Sequence, residues 1–150
     1  MEEIGEIKES TTSSFVFRAE KEIRKHDYVR INDILAQVWE IKQQSNGTFA
    51  YANVIGSLSR RYMPRSPFKI GSKVYRADES FVKKIMGIEN EGIYVGLIKD
   101  TLVKVFLSPE ILIQKHLCIL AKSGSGKSTL FYILKNVLKA KGEFYFNSVK

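Results

Sequence analysis

Residues 117–129 read Leu-Cys-Ile-Leu-Ala-Lys-Ser-Gly-Ser-Gly-Lys-Ser-Thr. The apolar run at 117–120 is typical of a strand that is buried on both faces of a parallel sheet. A glycine-rich segment follows, and apolar residues then recur at the spacing of one helix face, at Leu130, Ile133, Leu134, Val137 and Leu138. A strand, a glycine-rich loop and a helix in this order predict a short α/β piece.

The glycine-rich segment nearly matches the phosphate-binding pattern G-x-x-x-x-G-K-[ST], with Ala121 in place of the first glycine. Small residues let backbone N–H groups surround a phosphate, and the N-terminus of the following helix presents a partial positive charge to it. The pattern therefore predicts a nucleotide-binding loop made of Ala121, Lys122, Ser123, Gly124, Ser125, Gly126, Lys127, Ser128 and Thr129.

Three residues of this loop have specific predicted roles. We expect Lys127 to reach the β- and γ-phosphates of ATP, the hydroxyl of Ser128 to coordinate Mg²⁺, and Thr129 to lie near the α-phosphate. ATP and Mg²⁺ are thus the predicted cofactors. The alternative is a chance glycine-rich turn, and the apolar run before the loop and the amphipathic pattern after it argue against that alternative.

The first 107 residues predict a different structure, because short apolar–polar alternations typical of strands are separated by turn signals. The alternating runs are 4–7, 15–18, 27–31, 35–41, 51–56, 92–98 and 102–107. One helix is predicted between Asp78, as its N-cap, and Gly87, as its end. Several short strands favour a small β-barrel, since closure removes exposed strand edges. Trp39 lies within an alternating run and is predicted to be a core residue.

The segment Ser108-Pro109-Glu110 resembles the start of a short helix, and we place the domain boundary there. The sequence then predicts a mainly β domain at 1–110 and the beginning of a P-loop ATPase domain at 111–150.

Composition narrows the class of protein. The chain has 150 residues, a net charge of +8 and one cysteine, Cys118, so an internal disulfide is excluded. Seven basic residues and one acidic residue lie within 111–150, and basic residues also concentrate between Arg60 and Arg76. These stretches suit an anionic partner, or are simply solvated. Without an apolar run long enough for a membrane span or a signal peptide, we expect a cytoplasmic protein that does not contact the membrane.

Together these motifs resemble the HerA family of DNA translocases. The resemblance is carried by residues 4–7, 35–41, 72–79 and 92–96, and most specifically by residues 115–128. It implies an N-terminal barrel like that of ATP synthase subunits, which serves assembly and partner docking, followed by a RecA/FtsK-like ATPase. It also implies a hexameric ring that acts on DNA in end processing together with a partner nuclease.

The resemblance also shows what these 150 residues lack. In the family, the Walker B acid, the sensor and the arginine finger lie far downstream, so no catalytic set is complete here and we expect the chain alone to be inactive. Residues 142–150 also depart from the apolar strand ending in Asp-Pro that the family tends to show. Two alternatives stay open: a different ring ATPase, such as a DNA-packaging or conjugation motor, and a non-enzymatic barrel that carries a vestigial loop.

Overall fold

The computed structural model describes residues 1–59, 64–114 and 118–140. Eight strands and three helices lie within these residues. In chain order they are β1 (Glu3–Ser10), β2 (Ser14–Ala19), β3 (Tyr28–Ile31), β4 (Ile34–Gln44), β5 (Gly47–Ser57), β6 (Lys73–Arg76), α1 (Glu79–Met86), β7 (Ile93–Leu97), β8 (Lys104–Leu107), α2 (Pro109–Gln114) and α3 (Lys127–Ala140).

Strands β1 to β6 form a closed antiparallel barrel in the order β1-β2-β5-β4-β3-β6. The longest pair, β4 and β5, is joined by a tight turn at Ser45 and Asn46, as the turn signal in the sequence predicted. The barrel closes through β6, which pairs with β1 on one side and with β3 on the other. The predicted fold class, a mainly β barrel followed by a short piece of strand and helix, is confirmed.

The barrel interior is filled by side chains that alternate along the strands. Phe17, Ile4, Ile7, Val29 and Val38 are completely buried there. Phe68, in the basic stretch before β6, packs against this core and meets the ring of Phe15 edge-on.

Helix α1 has the ends that the sequence predicted. The Asp78 carboxylate accepts a hydrogen bond from the backbone N–H of Phe81, and Gly87 ends the helix in a left-handed conformation at φ 67°. Phe81 and Val82 are buried in a second apolar cluster with Tyr28 and Leu35. Residue Arg30 covers the ring of Phe81 from outside, with its guanidinium carbon 4.1 Å from the ring centre.

The described residues group into two compact units. The first contains 1–88 and 97–103, and the second contains 89–96 together with the residues from 104 onward. In the second unit β7 and β8 form a two-stranded sheet of their own rather than adding to the barrel. Whether residues 1–110 fold independently of the rest stays a prediction.

One strand and one core residue differ from the sequence-based expectations. Cys118, Ile119 and Leu120 are not in a strand, and Leu120 is 89% exposed; Leu117 lies outside the described residues, as does the second expected strand at 144–146. A parallel strand of this kind needs neighbours on both sides, and β7 and β8 form a two-stranded sheet with each other. Trp39 was predicted to be core, yet it is 46% exposed on the outside of β4, edge-on to Tyr51.

No helix in the described part of the chain is long and apolar enough to cross a membrane.

The cap of α1 predicts a pH dependence of stability. The Ser80 hydroxyl and then the Phe81 N–H donate to Asp78 and hold the pKa of that carboxyl below its usual range. Because the folded-state pKa is lowered, the cap stabilises the protein above the ordinary carboxyl pKa of about 4 and is lost as the pH falls further.

We therefore expect Asp78→Ala to lower the free energy of unfolding by about 1 kcal/mol at neutral pH and by less at pH 3. Urea unfolding at both pH values measures this difference. Asp78→Asn is the control, since an asparagine keeps the cap but cannot titrate. Equal losses for Asp78→Ala at the two pH values would contradict the assignment.

Candidate phosphate-binding loop

Helix α3 holds the candidate site, and its buried face fixes the helix within the second unit. Leu134 and Leu138 are 3% and 6% exposed and pack against Ile93 of β7. Val95 of β7 and Leu112 of α2 line the same cluster. The apolar face predicted from the helical spacing is thus buried at Leu134 and Leu138, although Ile133, which the pattern placed on the same face, is 48% exposed.

The loop before α3 turns sharply at two glycines. Gly124 and Gly126 have φ angles of 79° and 86°, in the left-handed region that favours glycine, while nothing lies within 4 Å of the place where a Cβ would be. The glycines are therefore needed for backbone conformation and not for space. Ala121 is absent from the positive-φ residues of the described chain, so its substitution for the first glycine of the pattern introduces no backbone strain.

Hydrogen bonds inside the loop fix its shape. The hydroxyl and the backbone N–H of Ser125 both donate to the carbonyl of Lys122, at 2.7 and 3.3 Å. At the start of α3 the N–H of Leu130 donates to the carbonyl of Gly126 at 2.9 Å. The N–H groups of Lys127, Ser128 and Thr129 precede this bond, and the first N–H groups of a helix have no partner within it. They are available for an anion.

These donors border an open cavity of about 470 Å³. Seven of the nine predicted residues line it, namely Lys122, Ser123, Gly124, Gly126, Lys127, Ser128 and Thr129. The other two residues do not line it. Ala121 is the first residue of the predicted loop, and the Ser125 hydroxyl donates to the Lys122 carbonyl inside the loop. The roles of all nine as nucleotide ligands stay predictions.

The chemistry of the lining fits a phosphate group bound with a metal ion. Among residues with described contacts, neither the Lys127 ammonium nor the Ser128 hydroxyl has an ion-pair or hydrogen-bond partner. No carboxylate lines the cavity, and the described residues contain no cluster of three or more His, Cys, Asp or Glu side chains that could hold a metal. A magnesium ion would therefore arrive with the nucleotide and take Ser128 as a protein ligand.

Sequence reasoning missed the support of this loop. Ile93 and Val95 of the β7–β8 hairpin pack against the buried face of α3, and Ile119, which precedes the loop, packs against the same cluster. The apolar–polar alternation in residues 92–98 predicted strand β7, but no local pattern in the sequence indicates which helix the hairpin packs against. Cys118 is exposed and was expected to be a buried thiol of the strand.

A comparison with protein families matches residues 93–144 to the family described as "Helicase HerA, central domain". The match begins at β7, so it includes the hairpin under α3 as well as the loop. This chain is a distant homologue of the HerA helicases.

Individual relatives extend the similarity beyond that segment. A probable DNA double-strand break repair helicase HerA of Methanocaldococcus jannaschii is 27% identical over 144 residues, which cover 90% of this chain and 28% of the relative. A probable helicase of the same organism is 40% identical over 81 residues, covering 53% of this chain and 15% of the relative. The DNA double-strand break repair helicase HerA of Pyrococcus furiosus is 32% identical over 80 residues, covering 52% of this chain and 14% of the relative.

The HerA homologue described here therefore spans less than a third of the length of each of these curated relatives.

The support of α3 can be tested at one buried side chain. We expect Leu134→Ala to cost about 2–4 kcal/mol of local stability, because it removes a side chain that is packed against β7. Amide hydrogen exchange along α3 measures the loss. The matched control is the adjacent Ile133→Ala, which removes a similar volume from the exposed side of the helix. Equal effects of the two substitutions would show that α3 does not rest on the hairpin as described.

Proposed function

We propose that this HerA homologue binds Mg²⁺–ATP through the loop at residues 121–129 and contributes the first part of an ATP-driven DNA translocase. The observation that carries the proposal is the open cavity at the N-terminus of α3, where unpaired helix N–H groups, the Lys127 ammonium and the Ser128 hydroxyl meet. Positive partial charge, a full positive charge and a hydroxyl ligand together suit a triphosphate with its metal ion.

Each group has a separate task in this proposal. The N–H groups of the first turn of α3 hold the phosphate oxygens and orient them along the helix axis. Lys127 compensates charge on the β- and γ-phosphates, and Ser128 gives the metal ion a fixed protein ligand. Bound Mg²⁺ supplies charge neutralisation between the terminal phosphates, which facilitates phosphoryl transfer.

The wider role is proposed from the relatives. Two of them are named as double-strand break repair helicases, one of these with the qualifier "probable". We propose that the barrel of this chain serves assembly of a hexameric ring and docking of a nuclease, that the ring acts on DNA ends, and that it works in the cytoplasm. The excess of basic residues after position 110 is compatible with an anionic partner of this kind.

Nucleotide binding is the direct test. We expect the 150-residue chain to bind Mg²⁺–ATP weakly, because the loop is open to solvent and rests on one helix and one hairpin. Lys127→Ala should reduce the affinity at least tenfold, by about 1.5 kcal/mol or more, since it removes a charge-assisted contact to phosphate. Isothermal titration calorimetry gives the dissociation constants.

Lys135→Ala is the matched control, because Lys135 lies two turns further along α3 and does not line the cavity. Equal affinities of the Lys127→Ala variant and the unaltered chain would contradict the proposal. A sub-micromolar dissociation constant that is lost in Lys127→Ala would agree with the proposed site. It would contradict only the expectation of weak binding, because it would show that one helix and one hairpin hold the loop firmly enough.

Turnover is expected to be absent in this chain. Phosphoryl transfer also needs an oriented water and charge stabilisation beyond the metal and the loop, and the residues lining the cavity include no carboxylate that could help to position either metal or water. Phosphate release by the chain should therefore equal that of Lys127→Ala. Release that exceeds this control in steady state would show that a catalytic group lies within the 150 residues.

A further inference from the structure

The candidate phosphate-binding loop holds a second lysine, to which the proposed function gives no separate task. Lys122 is exposed and lines the same cavity as Lys127, although it lies five positions earlier in the chain. Lys127 belongs to the first turn of α3, whereas Lys122 lies at the start of the loop. The two ends of the loop therefore each contribute a lysine to one cavity.

The backbone of the loop holds Lys122 in place. The Lys122 carbonyl accepts hydrogen bonds from the hydroxyl of Ser125 at 2.7 Å and from the N–H of Ser125 at 3.3 Å. Gly124, with a φ of 79°, reverses the chain between these two residues. Because both bonds end on the backbone carbonyl, they fix the base of the Lys122 side chain and leave its ammonium group unused.

The charges around the cavity favour an anion with more than one charge. The seven described residues that line it contribute two ammonium groups, those of Lys122 and Lys127, and no carboxylate. Within the part of the chain that the structure describes, the Lys122 ammonium has no hydrogen-bond or ion-pair partner. Two like charges at one cavity repel each other, and a polyanionic ligand would turn that repulsion into attraction.

Net charge distinguishes the two nucleotides that an ATPase site meets. At neutral pH, ATP with one Mg²⁺ carries about two net negative charges, and ADP with one Mg²⁺ carries about one. Lys127 alone can balance the diphosphate complex, whereas the triphosphate complex leaves one negative charge for a second cation. The partial charge at the N-terminus of α3, about +0.5, acts on both nucleotides and does not separate them.

We propose that Lys122 makes the loop selective for a nucleoside triphosphate over a diphosphate, because its ammonium pairs with the charge of the additional phosphate. This role depends on the proposed function, since it requires that the cavity binds a nucleotide with Mg²⁺. Lys127 and the helix N–H groups hold the phosphates that both nucleotides share. A diphosphate lacks the partner of Lys122 and is bound less firmly, which favours its exchange for a triphosphate.

Lys122→Gln tests this pairing, because glutamine removes the charge and keeps the backbone carbonyl that bonds to Ser125. We expect the variant to bind Mg²⁺–ATP about five- to tenfold more weakly and Mg²⁺–ADP less than about twofold more weakly, since a charge-assisted contact is lost only for the triphosphate. Titrations of the ¹⁵N-labelled 150-residue chain, followed by amide chemical shifts, give both dissociation constants. The unaltered chain should prefer ATP, and the variant should lose most of this preference.

Lys122→Arg and Lys135→Gln are the matched controls. Arginine keeps the positive charge and should retain the preference for ATP. Lys135 lies on α3 and does not line the cavity, so its substitution should change neither affinity. Magnesium tripolyphosphate and magnesium pyrophosphate are the probes without a nucleoside, and they should reproduce the difference because it depends on phosphate charge.

Two results would overturn the role of Lys122 while leaving the proposed nucleotide site intact. The first is that Lys127→Ala weakens binding, but Lys122→Gln weakens ATP and ADP equally or affects neither. The second is a lowered thermal midpoint of nucleotide-free Lys122→Gln, which would show that this side chain supports the loop itself. Unchanged ATP affinity in Lys127→Ala would instead contradict the proposed function, and the selectivity of Lys122 would fall with it.

Discussion

Closure of the barrel depends on β6, a strand of four residues that pairs with β1 on one side and β3 on the other. Arg76 at the end of this strand strengthens the junction, because its guanidinium bonds to Glu2 before β1, to Asp27 before β3 and to the carbonyl of Glu22. Arg76, and then Lys21, hold the pKa of Glu2 below its usual range. These groups are partly exposed, so the contribution of each pair to stability is modest; their importance is that they join segments distant in sequence.

The same junction positions the elements that follow it. Helix α1 begins three residues after Arg76 and buries Phe81 and Val82 against Tyr28 of β3. The close approach of β1 and β2 adds a second constraint, because a Cβ on Gly5 would lie 2.2 Å from the carbonyl oxygen of Arg18. Any larger residue at Gly5 would push these paired strands apart.

In the second unit, the proposed function and the stability depend on the same helix. One end of α3 provides the N–H groups that face the candidate phosphate-binding cavity, and its buried side provides the contacts with β7. Because the loop is held by few internal hydrogen bonds, its shape depends on how firmly α3 is anchored. A substitution at Leu134 is therefore expected to affect nucleotide binding as well as folding, although that side chain does not line the cavity.

Local patterns were reliable where the interaction is local. Phe81 lies within α1, and Asp78 and Gly87 cap its two ends, so the cap, the apolar face and the end of this helix could all be predicted from neighbouring residues. The glycines of the loop were also predictable, since a left-handed φ is a property of the residue itself. Trp39 shows the opposite case: alternation identified its strand but not the face on which it lies, because irregular pairing between Val38 and Glu40 changes the register there.

The sequence by itself determined the alternating strands, the helix ends and the phosphate-loop pattern, because each follows from residues adjacent along the chain. Only the tertiary structure decided which surfaces these elements cover. It showed that β7 and β8 pair with each other, that α3 rests on their hairpin, and that residues 118–120 form no strand. Such outcomes depend on contacts between distant segments, whose relative free energies no local pattern contains.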